Sequence, residues 1–229
     1  MTANAQQNYL PAAGIDAFLP FYDLITKLMG ADQARRGLLD RASLKPGQHV
    51  LDIGCGTGTL AILLKRRYPR IEIIGLDPDP KALARAKRKA RRAGVFPQFD
   101  QSFADALAYP AESFDHVFSS FMFHHLDGEQ KERMLREIRR VLKPGGQLHL
   151  LDFVASEGHG GGFLSHLFHS HAHMADNLDA NILALMTKAG LAEAKVIGRR
   201  KTLFGLAPVT YYGASTASAS APRAASSSS

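Results

Sequence analysis

One stretch constrains this chain more than any other: Val50-Leu51-Asp52-Ile53-Gly54-Cys55-Gly56-Thr57-Gly58-Thr59-Leu60-Ala61. The β-rich run HVLDI (49–53) leads into three glycines at alternate positions. A helical pattern follows through Leu60, Ile62, Leu63 and Leu64 to Tyr68 and is stopped by Pro69. A strand, a glycine-rich turn and a helix in that order form the opening unit of a doubly wound α/β sheet. Glycines there let backbone N–H groups at the helix N-terminus approach a ligand closely.

The alternation continues along the chain. IEIIGLD (71–77) is a near-continuous apolar run of the kind a parallel strand covered on both faces requires. Pro80 to Ala93 predicts a helix with Leu83, Ala86 and Ala90 inward and cations outward, closed by Gly94. Strands are expected at 97–103, 114–119 and 146–153. Between the last two, Glu129 to Leu142 reads as an amphipathic helix ended by KPGG (143–146). A helix near 177–189 precedes two β-like runs, AKVIGRRKT and FGLAPVTYYG, expected as antiparallel strands added at the sheet edge. The predicted fold is α/β: a Rossmann-like, mostly parallel seven-stranded sheet with helices on both faces and an antiparallel C-terminal pair. Residues 1–45 read as a helical cap and 46–213 as the main domain. Within the latter, 155–190 form a histidine-rich lid. The small polar run 214–229 reads as a disordered tail.

Composition narrows the classes. The 229 residues are 45% hydrophobic and 21% charged, which suits one soluble domain. The net charge of +7 is matched by the seven cations, with no anion, of Lys81–Arg92. The lone Cys55 forms neither an internal disulfide nor a thiolate zinc cage. No stretch of about 18 apolar residues exists, and the N-terminus lacks a basic region followed by an apolar one. A cytoplasmic location is expected, and nothing in the sequence speaks to oligomeric state.

From Gly56 onward the pattern GTGTLA also fits the looser dinucleotide fingerprint G-x-G-x-x-A, so a nicotinamide- or flavin-dependent oxidoreductase has to be weighed. Asp52 separates the two readings. Two residues before the first glycine, its carboxylate would lie where a dinucleotide places its anionic pyrophosphate, whereas a ligand with a cationic amino-acid end suits that field. Asp77, at the end of the second strand, stands where a carboxylate accepts hydrogen bonds from ribose hydroxyls. Asp105, in Phe103-Ala104-Asp105-Ala106, either accepts a hydrogen bond from an exocyclic amino group or caps a helix.

These residues, in this order, resemble the class I S-adenosylmethionine-dependent methyltransferases over about residues 20–212. VLDIGCGTG looks like that family's first motif, Asp77 like its ribose-binding acid, and FADA around Asp105 like its adenine contact. FDHVFSSFMFHHL (114–126) looks like its fourth-strand motif and LREIRRVLKPGGQLHLLDF (135–153) like the helix and strand that follow. FYDLITKLMG (21–30) and the fourth-strand motif are similar to the quinone C-methyltransferase and small-molecule branch. The resemblance implies S-adenosylmethionine as cofactor, contacted by Tyr22, Asp52, Gly54, Cys55, Gly56, Gly58, Asp77, Pro78, Ala104, Asp105 and Ser119. It also implies a small, lipophilic or aromatic methyl acceptor, with a quinone-like ring carbon favoured. A phospholipid amine, another small metabolite, or cofactor binding without catalysis remain alternatives.

Methyl transfer from a sulfonium asks the protein mainly to align the reactants and exclude water. A phenol, thiol or ring-carbon acceptor can additionally need a base, and His124 and His125, after the fourth strand, are the candidates. Half of the ten histidines fall within His159–His173. If that stretch is helical, His166, His169 and His173 share a face able to ligate a metal, although a solvated or pocket-lining lid is the simpler reading, and no metal is expected. The basic run Lys81–Arg92 suits a solvated helix or peripheral contact with an anionic membrane. Nucleic acid is disfavoured as a partner. The fourth strand lacks the Asn/Asp-Pro-Pro-aromatic motif of nucleic-acid amino methyltransferases, and one cysteine excludes a cysteine-dependent RNA C5 mechanism.

Overall fold

The computed structural model describes residues 30–154, 178–202 and 207–218. The expected cofactor contact Tyr22, most of the cap, the His159–His173 cluster and residues 219–229 lie outside them.

The elements in chain order are α1 (Ala31–Asp40), β1 (His49–Ile53), α2 (Thr59–Arg67), β2 (Glu72–Asp77), α3 (Pro80–Arg92), β3 (Gln98–Gln101) and β4 (Phe114–Ser120). A 3-10 turn (Phe123–His125), α4 (Gly128–Val141), β5 (Leu142–Phe153), α5 (Asp179–Lys188), β6 (Ala192–Thr202) and β7 (Ala207–Ser215) follow. The seven strands form one sheet in the order β3-β2-β1-β4-β5-β7-β6. Pairings from β3 to β5 are parallel, and β7 runs antiparallel to both β5 and β6. The expected architecture therefore holds, with one refinement. The C-terminal pair enters with β7 inside, against β5, and β6 at the edge.

Side-chain alternation along the central strands divides the core into two layers. Val50, Phe118, Leu151 and Tyr211 pack with α1–α3, and Leu51, Ile53, Val117, Leu148, Leu150 and Tyr212 pack with α4 and α5. Asp127 starts α4 with a reciprocal cap: its carboxylate accepts from the Gln130 N–H at 2.7 Å, and Gln130 Oε1 accepts from the Asp127 N–H at 3.0 Å.

Two boundaries differ from expectation. KPGG does not lie between helix and strand, because β5 already begins at Leu142. Leu142 pairs with Phe114 and Gln147 with His116, so residues 143–146 bulge out of the ladder. The chain after residue 213 is also ordered further than its composition suggests. Ala214 is buried opposite Leu148, and the Thr216 N–H donates to Gly146 O at 2.9 Å, covering the bulge. Ladder hydrogen bonds need no apolar side chain, which is why small polar residues could not announce them.

Candidate active site

The loop between β1 and α2 carries the glycines, and each has a left-handed backbone: φ is 69° at Gly54, 52° at Gly56 and 75° at Gly58. Their reasons differ. A Cβ on Gly54 would stand 2.4 Å from Met122 Cγ, and one on Gly58 would stand 2.8 Å from Ala86 Cβ and 3.0 Å from the Phe99 ring. Those two glycines allow close packing. Only at Gly56 would the Cβ meet open space, so Gly56 is the position left for ligand approach. The Gly54 and Cys55 N–H groups donate to Leu76 O at 2.8 and 2.9 Å, tying the loop to β2. The Cys55 thiol is buried, and burial pushes its pKa well up, so it serves packing rather than reactivity.

Asp52, at the end of β1, has no solvent exposure, and neither carboxylate oxygen has a hydrogen-bond partner among the described residues. Burial raises its pKa to about 7, against the opposing influence of Arg35. Arg35 is itself nine-tenths buried on α1, donating to Ser120 Oγ at 3.4 Å and Asp32 at 3.3 Å. An orphaned buried carboxylate is costly unless a ligand supplies donors, and an α-ammonium group would do so. Asp77 is tied down differently. Its Oδ2 accepts from the Gly56 N–H at 2.8 Å and its Oδ1 from the Asp79 N–H at 3.0 Å, leaving lone pairs for two hydroxyls. Burial raises its pKa in spite of those donors. Because the Gly56 amide already faces a carboxylate, it is not available to cradle a pyrophosphate, which counts against the dinucleotide reading.

Other expected positions fall around this centre. Ser119, fully buried on β4, has no partner for its Oγ among the described residues, and the next turn holds Phe121 at φ 58°, a strained conformation at the strand end. Pro78 is half-buried and its carbonyl accepts from Gln101 Nε2 at 3.1 Å. Ala104 packs on the α4 layer. Asp105 caps no helix; Arg133 Nε donates to its Oδ2 at 3.0 Å. His124 is buried and His125 exposed. Sequence reasoning missed Arg35 and Asp152, since an arginine in a helix and an acid ending a strand carry no signal without their spatial neighbours.

A doubly wound sheet with a glycine turn, an unpartnered acid for an ammonium group and a second acid for ribose fits S-adenosylmethionine. Residues 50–146 match the family model described as a methyltransferase domain. More particularly, the chain is 42% identical over 137 residues to the demethylmenaquinone methyltransferase of Thermus thermophilus. That match covers 58% of this chain and 61% of the relative, so less than two thirds of the relative's length is spanned. Among solved structures, the [4+2]-cyclase SpnF aligns with a TM-score of 0.67 at 21% identity, covering 82% of this chain and 81% of that one. The phosphoethanolamine N-methyltransferase 2 of Haemonchus contortus, in complex with S-adenosylhomocysteine, aligns with a TM-score of 0.67 at 17% identity, covering 81% and 52%. At such identities the structures speak for the fold alone.

Proposed function

We propose that this protein methylates a ring carbon of a small lipophilic quinol, using S-adenosylmethionine. The similarity to a demethylmenaquinone methyltransferase carries this reading, and the orphaned Asp52 supports the cofactor. The cofactor, when bound, supplies an activated electrophilic methyl group. Asp52 would hold its ammonium group, Asp77 its ribose hydroxyls, the backbone at Gly56 its middle, and Asp105, with Ala104 and Pro78 beside it, its adenine. The chain's remaining task is to align an acceptor and keep water out. Calorimetric titration with S-adenosylmethionine, S-adenosylhomocysteine and NADH tests the cofactor. Micromolar binding of the first two and none of NADH is expected. Incubation with methyl-labelled cofactor and a demethylated naphthoquinol then tests the acceptor. Binding of the cofactor without label transfer to any quinol would refute the substrate assignment.

We also propose a cytoplasmic protein in peripheral contact with anionic membrane through Lys81–Arg92. Among the described residues no helix is long and apolar enough to cross a membrane. On α3, Lys81, Lys87, Arg88, Arg91 and Arg92 are exposed, and Arg85, Lys87, Arg88, Arg91 and Arg92 form no ion pair among the described residues. Phe96, just beyond the helix, is 77% exposed. By contrast, Arg133, Arg136, Arg140, Lys188 and Arg199, on α4, α5 and β6, each have a carboxylate partner. Unpaired cations beside an apolar anchor suit an anionic lipid surface, at about 1 kcal/mol per cation. Flotation with phosphatidylserine vesicles at low salt, weakened at physiological salt and by Arg88→Glu with Arg91→Glu, is expected; equal binding to neutral vesicles would refute it.

A further inference from the structure

Helix α1 buries Ala31, Ala34, Leu38 and Leu39 along one stripe, and Arg35 stands within that stripe, 9% exposed, whereas Arg36 beside it faces solvent. An apolar residue there would pack without the cost of taking a guanidinium out of water. The surroundings do little to offset that cost. Nε donates to Ser120 Oγ at 3.4 Å and Nη1 to Asp32 Oδ1 at 3.3 Å; both contacts are long, and the Asp32 side chain is itself 31% exposed. These are the hydrogen bonds that Arg35 makes among the described residues, out of the five donors a guanidinium carries. The Phe121 ring lies 5.2 Å beneath the group, and its left-handed backbone is a strain of the kind that gathers at ligand sites.

Asp52 is the complementary case on the same face of the sheet. It stands opposite Phe118 in the β1–β4 ladder, and Ser120 lies two residues further along β4. Side chains alternate along a strand, so Asp52 and Ser120 both project, with Phe118, toward the α1–α3 layer. The Arg35 charge reaches Asp52 and holds its pKa down against burial. Yet among the described residues no ion pair joins the two, and neither Asp52 oxygen accepts a hydrogen bond. Two buried unlike charges that stand near one another without meeting are both left under-compensated. A plain alkylamine would satisfy Asp52 alone, whereas an α-amino acid, with an ammonium and a carboxylate on one carbon, satisfies both.

We propose that Arg35 binds the α-carboxylate of the cofactor's amino-acid end while Asp52 holds its ammonium group, so that the pair selects S-adenosyl ligands with an intact α-amino acid over decarboxylated ones. The inference rests on the S-adenosylmethionine reading above and extends it to a residue outside every motif of the sequence. The planar guanidinium fork matches a carboxylate with two parallel hydrogen bonds, which a lysine at the same place could not make. Helix α1 thereby becomes part of the cofactor site rather than only a cover for the sheet.

The test is calorimetry on the full chain at pH 8 with S-adenosylhomocysteine, its decarboxylated analogue, its deaminated analogue and 5′-methylthioadenosine, which lacks both charged groups. On the wild type, loss of the carboxylate should weaken binding about tenfold to a hundredfold. On Arg35→Met that penalty should fall to within about threefold, and on Arg35→Lys it should be intermediate. On Asp52→Asn the carboxylate penalty should persist while the penalty for deamination shrinks. Removing the Arg35 charge also frees the Asp52 pKa to rise, which weakens every amine-bearing ligand alike. The ratio of S-adenosylhomocysteine to its decarboxylated analogue is therefore the quantity that reads the contact. Methylthioadenosine should bind wild type and Arg35→Met equally, showing the nucleoside site intact. Equal wild-type affinity for S-adenosylhomocysteine and its decarboxylated analogue, or a carboxylate penalty undiminished in the Arg35 variants, overturns the inference and leaves the cofactor reading standing. The wild-type ratio and Arg35→Lys decide even if Arg35→Met fails to fold. If the wild type binds none of these nucleosides, the cofactor reading itself fails and the inference with it.

Discussion

Substitution of Asp52 by asparagine measures both the cost of burying its carboxylate and its proposed role in holding the cofactor. Burial lifts its pKa from 3.8 to about 7 in the folded protein. At 1.36 kcal/mol per pH unit this corresponds to about 4 kcal/mol. The folded pKa is the higher one, so the folded state keeps a proton that the unfolded chain releases. Stability is therefore full below the unfolded value and is lost as pH rises through the folded one. At pH 8 the ligand-free Asp52→Asn protein should be more stable than the wild type by up to about 4 kcal/mol, and at pH 4 the difference should shrink to under about 1 kcal/mol. The variant should also bind S-adenosylmethionine about tenfold to a hundredfold more weakly, since a hydrogen-bonded charge pair contributes about 1.5–3 kcal/mol. Urea unfolding at the two pH values and calorimetry at pH 8 read these quantities. A variant less stable than the wild type at pH 8, or a stability gap equal at both pH values, would show that Asp52 is not an unrelieved buried charge.

His149 carries the opposite slope: burial and the neighbouring His116 push its pKa down to about 3. Its contribution is full above about 6.5 and is lost as pH falls, amounting to up to about 5 kcal/mol by pH 3. In an Asp52→Asn background, urea unfolding should show that loss, and His149→Phe should remove most of it; an unchanged acid slope would count against it. Gly54→Ala should cost about 2–5 kcal/mol, from the left-handed backbone and the clash with Met122, whereas Gly56→Ala should cost about 1–2 kcal/mol and weaken cofactor binding instead. Paired unfolding and calorimetry separate the two, and equal stability losses would undo the distinction between them. Asp105→Ala should weaken cofactor binding about tenfold while changing stability by less than about 1 kcal/mol, because its ion pair with Arg133 is partly exposed; unchanged affinity would remove Asp105 from the adenine site.

Much of this protein was legible in the chain alone. Strand and helix order follow from apolar runs of strand length alternating with helical periodicity, and those are local signals. The placement of Asp52, Asp77 and the glycine turn at the β1–α2 and β2–α3 junctions was equally legible, because those junctions lie at fixed offsets from a strand end. What local pattern does not carry is partnership across the sequence. That the Gly54 and Gly58 conformations serve Met122, Ala86 and Phe99 depends on segments up to 68 residues away. That β7 inserts between β5 and β6 depends on backbone hydrogen bonds that are blind to side-chain identity. His124 and Asp152 stand 28 residues apart, and only the parallel pairing of β4 with β5 brings their strand ends side by side. The order of elements is written in short-range periodicity, whereas which acid meets which base is decided when long-range packing closes the sheet.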